Sequence, residues 1–178
     1  MFLLTDKVAV VTGAGSGIGA AIAALFGRQQ ARVAVVDVDD AAARRTADAI
    51  GRDGGRAEAF VCDVSNADAV ARLFEAVASD SGRVDILVNN AGIAHVGTIE
   101  RTSEADFDRL YAVNVKGIFF CARAAVPMMV RQGGGVILNM ASIASLVGVP
   151  DRFAYLCSDE AAFVTGQAYP IDAGVLVP

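Results

Sequence analysis

Apolar residues in this chain fall in short β-branched runs, each followed by an alanine-rich stretch whose apolar positions recur at helical spacing. Lys7 to Thr12 (KVAVVT) reads as a strand, and Gly17 to Gln30 as a helix with Ile18, Ile22, Leu25 and Phe26 at helical spacing. Arg32 to Asp37 predicts a second strand, Asp40 to about Asp53 a helix closed by Gly54-Gly55, and Arg56 to Asp63 a third strand. A helix follows over Asn66 to Asp80, capped by Ser65 or Asn66, with Val70, Phe74 and Val77 on one face. Val84 to Asn89 predicts a fourth strand, Ser103 to Arg131 one long helix with Ser103 as its N-cap, and Gly135 to Ala141 a fifth strand.

Strands apolar on both faces and separated by helices imply a parallel sheet covered on both sides. With right-handed crossovers this is a doubly wound α/β arrangement in a single domain over residues 1–178. Ala168 to Asp172 is expected as a sixth strand beside the fifth. Residues 143 to 167 supply 25 positions for a parallel crossover, which needs about a dozen.

Composition narrows the function. Hydrophobic residues make up 54% and charged residues 20% of the chain, which excludes a disordered polymer. A formal net charge of −5 without a basic cluster argues against nucleic acid and anionic membrane as partners. No uninterrupted apolar run reaches the roughly 18 residues of a membrane helix. The opening Met1-Phe2-Leu3-Leu4 meets Asp6 and Lys7 at once, unlike a signal peptide, so a cytoplasmic location is the expectation. Cys62, Cys121 and Cys157 are widely spaced and read as small buried apolar residues, and the single His95 as a loop residue near a ligand mouth. No metal site is expected.

Candidate chemistry gathers at the first turn. Gly13, Gly15, Gly17 and Gly19 lie between a strand and a helix, the context in which a glycine pattern carries meaning. Glycines allow a tight turn and close approach of a pyrophosphate, and the helix N-terminus offers free N–H groups and partial positive charge. Asp37 ends the second strand, 18 positions after Gly19. A carboxylate there can accept from adenosine ribose hydroxyls and would repel a 2′-phosphate, which favours NAD over NADP. The other reading of Asp37 is a plain helix-capping aspartate, a role that Asp39 or Asp40 could also fill.

These features resemble the short-chain dehydrogenase/reductase family. Gly13-x-x-x-Gly17-x-Gly19, with Ser16 and Ile18 inside it, is similar to that family's glycine turn. Asp63-Val64 resembles its adenine-contacting pair, and Asn89-Asn90-Ala91-Gly92 its motif at the fourth strand. Asn114, Ser142 and Tyr155 resemble its asparagine, serine and tyrosine, the last two 13 positions apart. The resemblance implies a Rossmann-type fold with strand order 3-2-1-4-5 plus a C-terminal strand, NAD as cofactor, and hydride exchange with a secondary alcohol or ketone. Ser142 would bind the substrate oxygen, Tyr155 would act as general acid/base, and Asn114 would support a water-linked proton path. The family's cofactor contacts would fall on Gly13, Ser16, Gly17, Ile18, Gly19, Asp37, Asp63, Val64, Asn90, Ala91 and Gly92.

One family element is replaced. The lysine four residues after the tyrosine, which stabilises phenolate, is Asp159 here, and the chain's only lysines are Lys7 and Lys116. On a helix, Asp159 would share a face with Tyr155 and raise the phenol's pKa. From Tyr155-Leu156-Cys157-Ser158-Asp159-Glu160 through Ile171-Asp172-Ala173-Gly174 the chain resembles the family's C-terminus. Tyr155 thus satisfies two readings, the catalytic tyrosine and the C-terminal one. About 70 residues of the family's usual length are missing between them, an apparent internal deletion near 155–156 whose origin is open between a natural deletion, an engineered excision and residues left out of the sequence as written. Three functions remain: an NAD-dependent dehydrogenase, an NAD-binding module without turnover, and a remnant or interaction protein that keeps only the fold. Homo-oligomers, dimeric or tetrameric and weaker than the family's, are implied through the fourth-crossover helix, with Val113, Phe119, Phe120, Val126 and Met129 as its apolar face. Ala94 to Val96 and Ser142 to Pro150 are expected to line the remaining substrate pocket.

Overall fold

The computed structural model describes residues 3–142 and 168–172. The elements are β1 (Val8–Thr12), α1 (Gly17–Arg28), β2 (Arg32–Asp37), α2 (Asp40–Arg52), β3 (Arg56–Val61), α3 (Ala67–Ser81), β4 (Ile86–Asn89), a 3-10 turn (Ile99–Arg101), α4 (Glu104–Tyr111), a π-helical turn (Ala112–Lys116), α5 (Gly117–Arg131), β5 (Gly134–Asn139) and β6 (Ala168–Asp172). They build a six-stranded sheet in the order β3-β2-β1-β4-β5-β6, parallel from β3 through β5.

The pleat sends alternate residues to two cores. Val8 and Val10 of β1 join Val70, Leu73, Phe74 and Val77 of α3 and Cys121, Ala125, Met128 and Met129 of α5. Val11, with Val33 and Val35 of β2, packs on Ala23 of α1 and on Ala43, Ala47 and Ile50 of α2. All five residues of β1 are buried, as a central parallel strand requires. β3 departs from the two-faced expectation. It is the edge strand, and its exposure alternates.

Four further expectations are corrected. β6 lies beside β5 as predicted but runs antiparallel, from Gly134↔Asp172 to Leu138↔Ala168. An antiparallel return needs only a chain reversal rather than a crossover, and Pro170, which cannot donate to a ladder, is tolerated because β6 is an edge. In α1 the buried positions are Gly19, Ala23 and Gly27, whereas Ile18 and Leu25 are 64% and 47% exposed. Small residues at four-residue spacing bring this helix against its neighbours, and a Cβ at Gly27 would lie 2.5 Å from Ile50 Cγ2.

The predicted single helix over 103–131 is interrupted by the π turn, with Ser103 as N-cap accepting from the Asp106 N–H. The stretch Glu104–Arg131 is by length and composition apolar enough to cross a bilayer, although Lys116 and Arg123 interrupt it. Here Cys121, Ala125, Met128 and Met129 are buried in the core it shares with the sheet. Met129, expected on the outer face, is fully buried, and Val113, Phe120 and Val126 pack partly on the core. Phe119 alone of those five is exposed, with the Arg123 guanidinium 5.3 Å above its ring.

The entry to β1 is fixed by Asp85, which is 7% exposed. It accepts the Val8 N–H at 2.9 Å, two bonds from Arg83 at 2.8 and 2.6 Å, and Lys7 Nζ at 3.3 Å. Burial alone would raise this carboxyl, but the Arg83 bonds, the Val8 N–H and Lys7 outweigh it and hold the pKa below the ordinary carboxylate value. A carboxyl depressed on folding stabilises the fold above its unfolded pKa, and the benefit disappears as pH falls through the folded value. Asp85→Ala leaves the buried Val8 N–H without its acceptor, so urea unfolding at neutral pH should show a loss of about 1–3 kcal/mol. The difference from the parent chain should shrink in acid.

Candidate functional site

In an open parallel sheet, ligands bind where neighbouring strands send their connections to opposite faces. β1 feeds α1 on one face and β4 feeds α4 and α5 on the other, so the crevice lies at the C-terminal ends of β1 and β4. The glycine turn forms its floor. Gly13 has φ +62°, and a Cβ there would lie 2.8 Å from Ala91 Cα. A Cβ at Gly19 would lie 2.2 Å from the Gly13 carbonyl oxygen. Gly17 has φ +53°, and a Cβ there would meet nothing within 4 Å, so it faces open space.

Helix N-termini differ in how they are closed. Asp39, Asn66 and Ser103 accept from backbone N–H groups and cap α2, α3 and α4. Ser16 makes no such side-chain bond at α1. The first turn of α1 is therefore left open towards the crevice, where a phosphate can take its N–H groups. Ile18 adds an exposed apolar side chain beside it.

Asp37 stands at the tip of β2, half-buried. Its Oδ2 accepts the Gly15 N–H at 2.8 Å and its Oδ1 the Asp39 N–H at 3.0 Å. Asp39, not Asp37, caps α2, so the plain capping reading of Asp37 falls. Asp37 pairs with Val61 across the strand ends, and Val38 and Val61 expose apolar surface on either side of the carboxylate. Asp63 Oδ1 accepts from the Ser65 N–H and hydroxyl at 2.9 and 2.7 Å. The Val64 side chain is buried against Gly117, which leaves only its backbone for a ligand.

Asn90, Ala91 and Gly92 form the opposite wall. Asn90 Nδ2 donates to the Thr12 and Gly13 carbonyls at 3.0 and 3.1 Å. Thr12 Oγ1 accepts the N–H groups of both Asn90 and Ala91 at 3.0 Å. Thr12 is absent from the predicted site residues. Its signal was a hydroxyl residue at the end of a buried strand, where only a polar partner could justify it. Below, Asn89 Nδ2 donates to Asn139 Oδ1 at 2.8 Å.

Asn114 sits in the π turn, a local irregularity frequent at functional sites. Both of its side-chain polar atoms hold one residue: Oδ1 accepts the Ile93 N–H at 2.9 Å and Nδ2 donates to the Ile93 carbonyl at 3.0 Å. The side chain thus fixes the loop after Gly92. Ser142 follows β5 and is half-buried. The chain leading to it is registered on β4 by the Met140 N–H bond to the Asn89 carbonyl at 2.9 Å. Tyr155, Asp159, Cys157 and the pocket residues 143–150 lie outside the described residues. Burial pushes the Cys62 and Cys121 thiols up to about 11 and about 12, so both are inert thiols of the core. Among the described residues no group of three His, Cys, Asp or Glu side chains is placed to hold a metal ion.

The fold is a Rossmann-like α/β parallel sheet of order 3-2-1-4-5 with interleaved helices. The sequence profile of the short chain dehydrogenase family matches residues 7–165, and the chain belongs to that family. It is 43% identical over 166 residues to an uncharacterized oxidoreductase of Thermotoga maritima, covering 93% of this chain and 65% of that one. It is 44% identical over 157 residues to a D-threitol dehydrogenase of Mycolicibacterium smegmatis, covering 88% and 60%. Among solved structures, a 7α-hydroxysteroid dehydrogenase complexed with NADH and 7-oxo glycochenodeoxycholic acid superposes with a TM-score of 0.85 at 38% identity, covering 90% of this chain and 62% of that one. A metagenomic short-chain oxidoreductase in complex with NADP gives 0.82 at 41% identity, covering 85% and 69%. The chain thus spans 60–65% of the length of these two curated relatives.

Proposed function

We propose that this chain binds NAD(H) and belongs to an oxidoreductase that moves hydride between the nicotinamide and a secondary alcohol or ketone. The observation that carries the reading is Asp37. It is pinned at the tip of β2 by the Gly15 N–H, beside a glycine turn with an open helix terminus. Gly13, Ser16, Gly17, Ile18 and Gly19 would hold the pyrophosphate, Asp37 the adenosine ribose, and Asp63 with the Val64 backbone the adenine. Asn90, Ala91 and Gly92 would line the nicotinamide side.

The bound dinucleotide supplies the hydride chemistry. Ser142 would hydrogen-bond the substrate oxygen, and Tyr155 would give or take its proton. A free phenol, with a pKa of about 10, needs a nearby cation to act as a base at neutral pH. Asp159 occupies the lysine position, which favours a second reading: NAD binding with impaired or absent turnover. By family likeness the cellular form is a homo-oligomer in the cytoplasm, acting on a small molecule.

Fluorescence titration with NADH, followed by turnover assays on a panel of secondary alcohols, tests both readings. Saturable NADH binding is expected, with rates about 10²–10⁴-fold below those of an enzyme with full acid/base assistance. Absence of NADH binding would overturn both readings and leave a chain that keeps only the fold.

A further inference from the structure

The loop after Gly92 is held to the fourth crossover at two points. The first is Asn114 on Ile93. The second is His95, whose Nδ1 lies 3.8 Å from Asp106 Oδ1 and whose side chain is only 15% exposed. The loop wraps this imidazole: a Cβ at Gly97 would lie 2.6 Å from His95 Nε2 and 3.2 Å from Thr102 Oγ1. Thr102 Oγ1 in turn donates to the Thr98 carbonyl at 2.8 Å.

Asp106 is presented rather than free to swing. Its Oδ2 accepts the Ser103 hydroxyl at 2.6 Å, and Ser103 Oγ accepts the Asp106 N–H at 3.1 Å. This reciprocal pair closes the start of α4 and leaves Oδ1 facing His95 and Arg109 Nη2, each at 3.8 Å. The Ser103 bond, opposed by burial and helped by His95 and Arg109, holds the Asp106 carboxyl below its ordinary range. Asp106 is therefore a carboxylate throughout the pH range in which histidines change charge. Asp106 and, behind it, Arg109 bring charge to the imidazole from α4. Arg109 is 60% exposed, so solvent screens its opposition.

We infer that His95 and Asp106 form a proton-gated clamp, in which a protonated imidazole docks the loop over residues 92–98 on the start of α4 and a neutral one loosens it. A neutral ring offers the carboxylate only a dipole, whereas a cation at the same distance adds a full charge–charge attraction. The same loop borders the crevice read as the substrate site. Regulation of access rests on that reading, but the clamp does not.

His95 is the one histidine in the chain, so the ring-proton resonances of the intact chain report its titration directly. Asp106→Asn, which keeps a group able to bond Ser103, should move the midpoint down. Arg109→Gln, an exposed change, should raise it. Amide-exchange protection over residues 93–98 in the parent chain should fall about threefold or more between pH 5.5 and 8, and this dependence should vanish in Asp106→Asn. An unmoved midpoint in Asp106→Asn, or protection independent of pH in the parent, overturns the clamp. NADH titration of the same samples separates the two readings. A working clamp without NADH binding sinks the functional reading alone, and NADH binding without a titrating clamp sinks the clamp alone.

Discussion

Gly19→Ala should weaken NADH binding severely. Alanine is the better helix former by about 1 kcal/mol, so helix propensity alone predicts a more stable chain. Sterics predict the reverse. The new Cβ would lie 2.2 Å from the Gly13 carbonyl oxygen and 2.5 Å from Asn90 Nδ2. The first of these is backbone and cannot rotate away. Either the first turn of α1 lifts off the strand end, or Asn90 gives up its bonds to the Thr12 and Gly13 carbonyls. Both outcomes open the cradle, at a stability cost of about 1–3 kcal/mol for overpacking.

Loss of that geometry should weaken NADH by about 100-fold or more, equivalent to about 2.8 kcal/mol. Fluorescence titration measures the binding, and urea unfolding shows whether the variant remains folded. Two other glycines calibrate the result. Gly17→Ala meets no atom within 4 Å but is strained at φ +53°, so it should lose about 1–2 kcal/mol. Gly51→Ala, in α2, meets neither obstacle and should gain about 0.5–1 kcal/mol. If Gly19→Ala binds NADH within about threefold of the parent, the glycine turn is not the binding site.

What could be read from the letters follows the range of the forces involved. β1 to β5 and α1 to α3 were legible because their apolar periodicity is local, and the parallel order followed from strands bounded by helices. The burial of Gly19, Ala23 and Gly27 in place of Ile18 and Leu25 was not legible. Hydrophobicity ranks side chains by transfer energy, while close helix packing selects for the absence of a side chain. The antiparallel sense of β6 depends on the path of the preceding chain, and its five residues carry no directional signal. Asn114 and Asp37 stood out through motif spacing. Thr12, which bonds both Asn90 and Ala91, did not, because its partners are 78 and 79 residues away. The His95–Asp106 contact escaped for a related reason, since loop conformation brings the two together rather than any periodic pattern.

Cofactor choice should turn on the charge of Asp37, and Asp37→Asn tests that charge while keeping the bond to Gly15. The carboxylate does two jobs: it accepts the Gly15 and Asp39 N–H groups, and it fixes a negative charge at the tip of β2. Alanine would remove both and confound turn stability with selectivity. Asparagine keeps one acceptor for Gly15 and removes the charge together with the acceptor for the exposed Asp39 N–H, a smaller loss than alanine would cause. Two unit charges about 4 Å apart repel by about 1 kcal/mol in water-like surroundings and about 4 kcal/mol near a protein surface. Asp37 is half-buried, so its effect on a 2′-phosphate should fall between these limits. NADPH affinity should therefore rise by about 10-fold or more in Asp37→Asn. NADH should weaken by less than about 10-fold, since one charged hydrogen bond to the ribose becomes a neutral one. The informative quantity is the ratio of the two affinities, which cancels any general loosening of the turn. It should shift towards NADPH, and by more at low salt than at high salt, as expected for a partly exposed charge. A ratio unchanged from the parent would mean that Asp37 serves only to order the turn through Gly15, and that discrimination against the 2′-phosphate lies elsewhere.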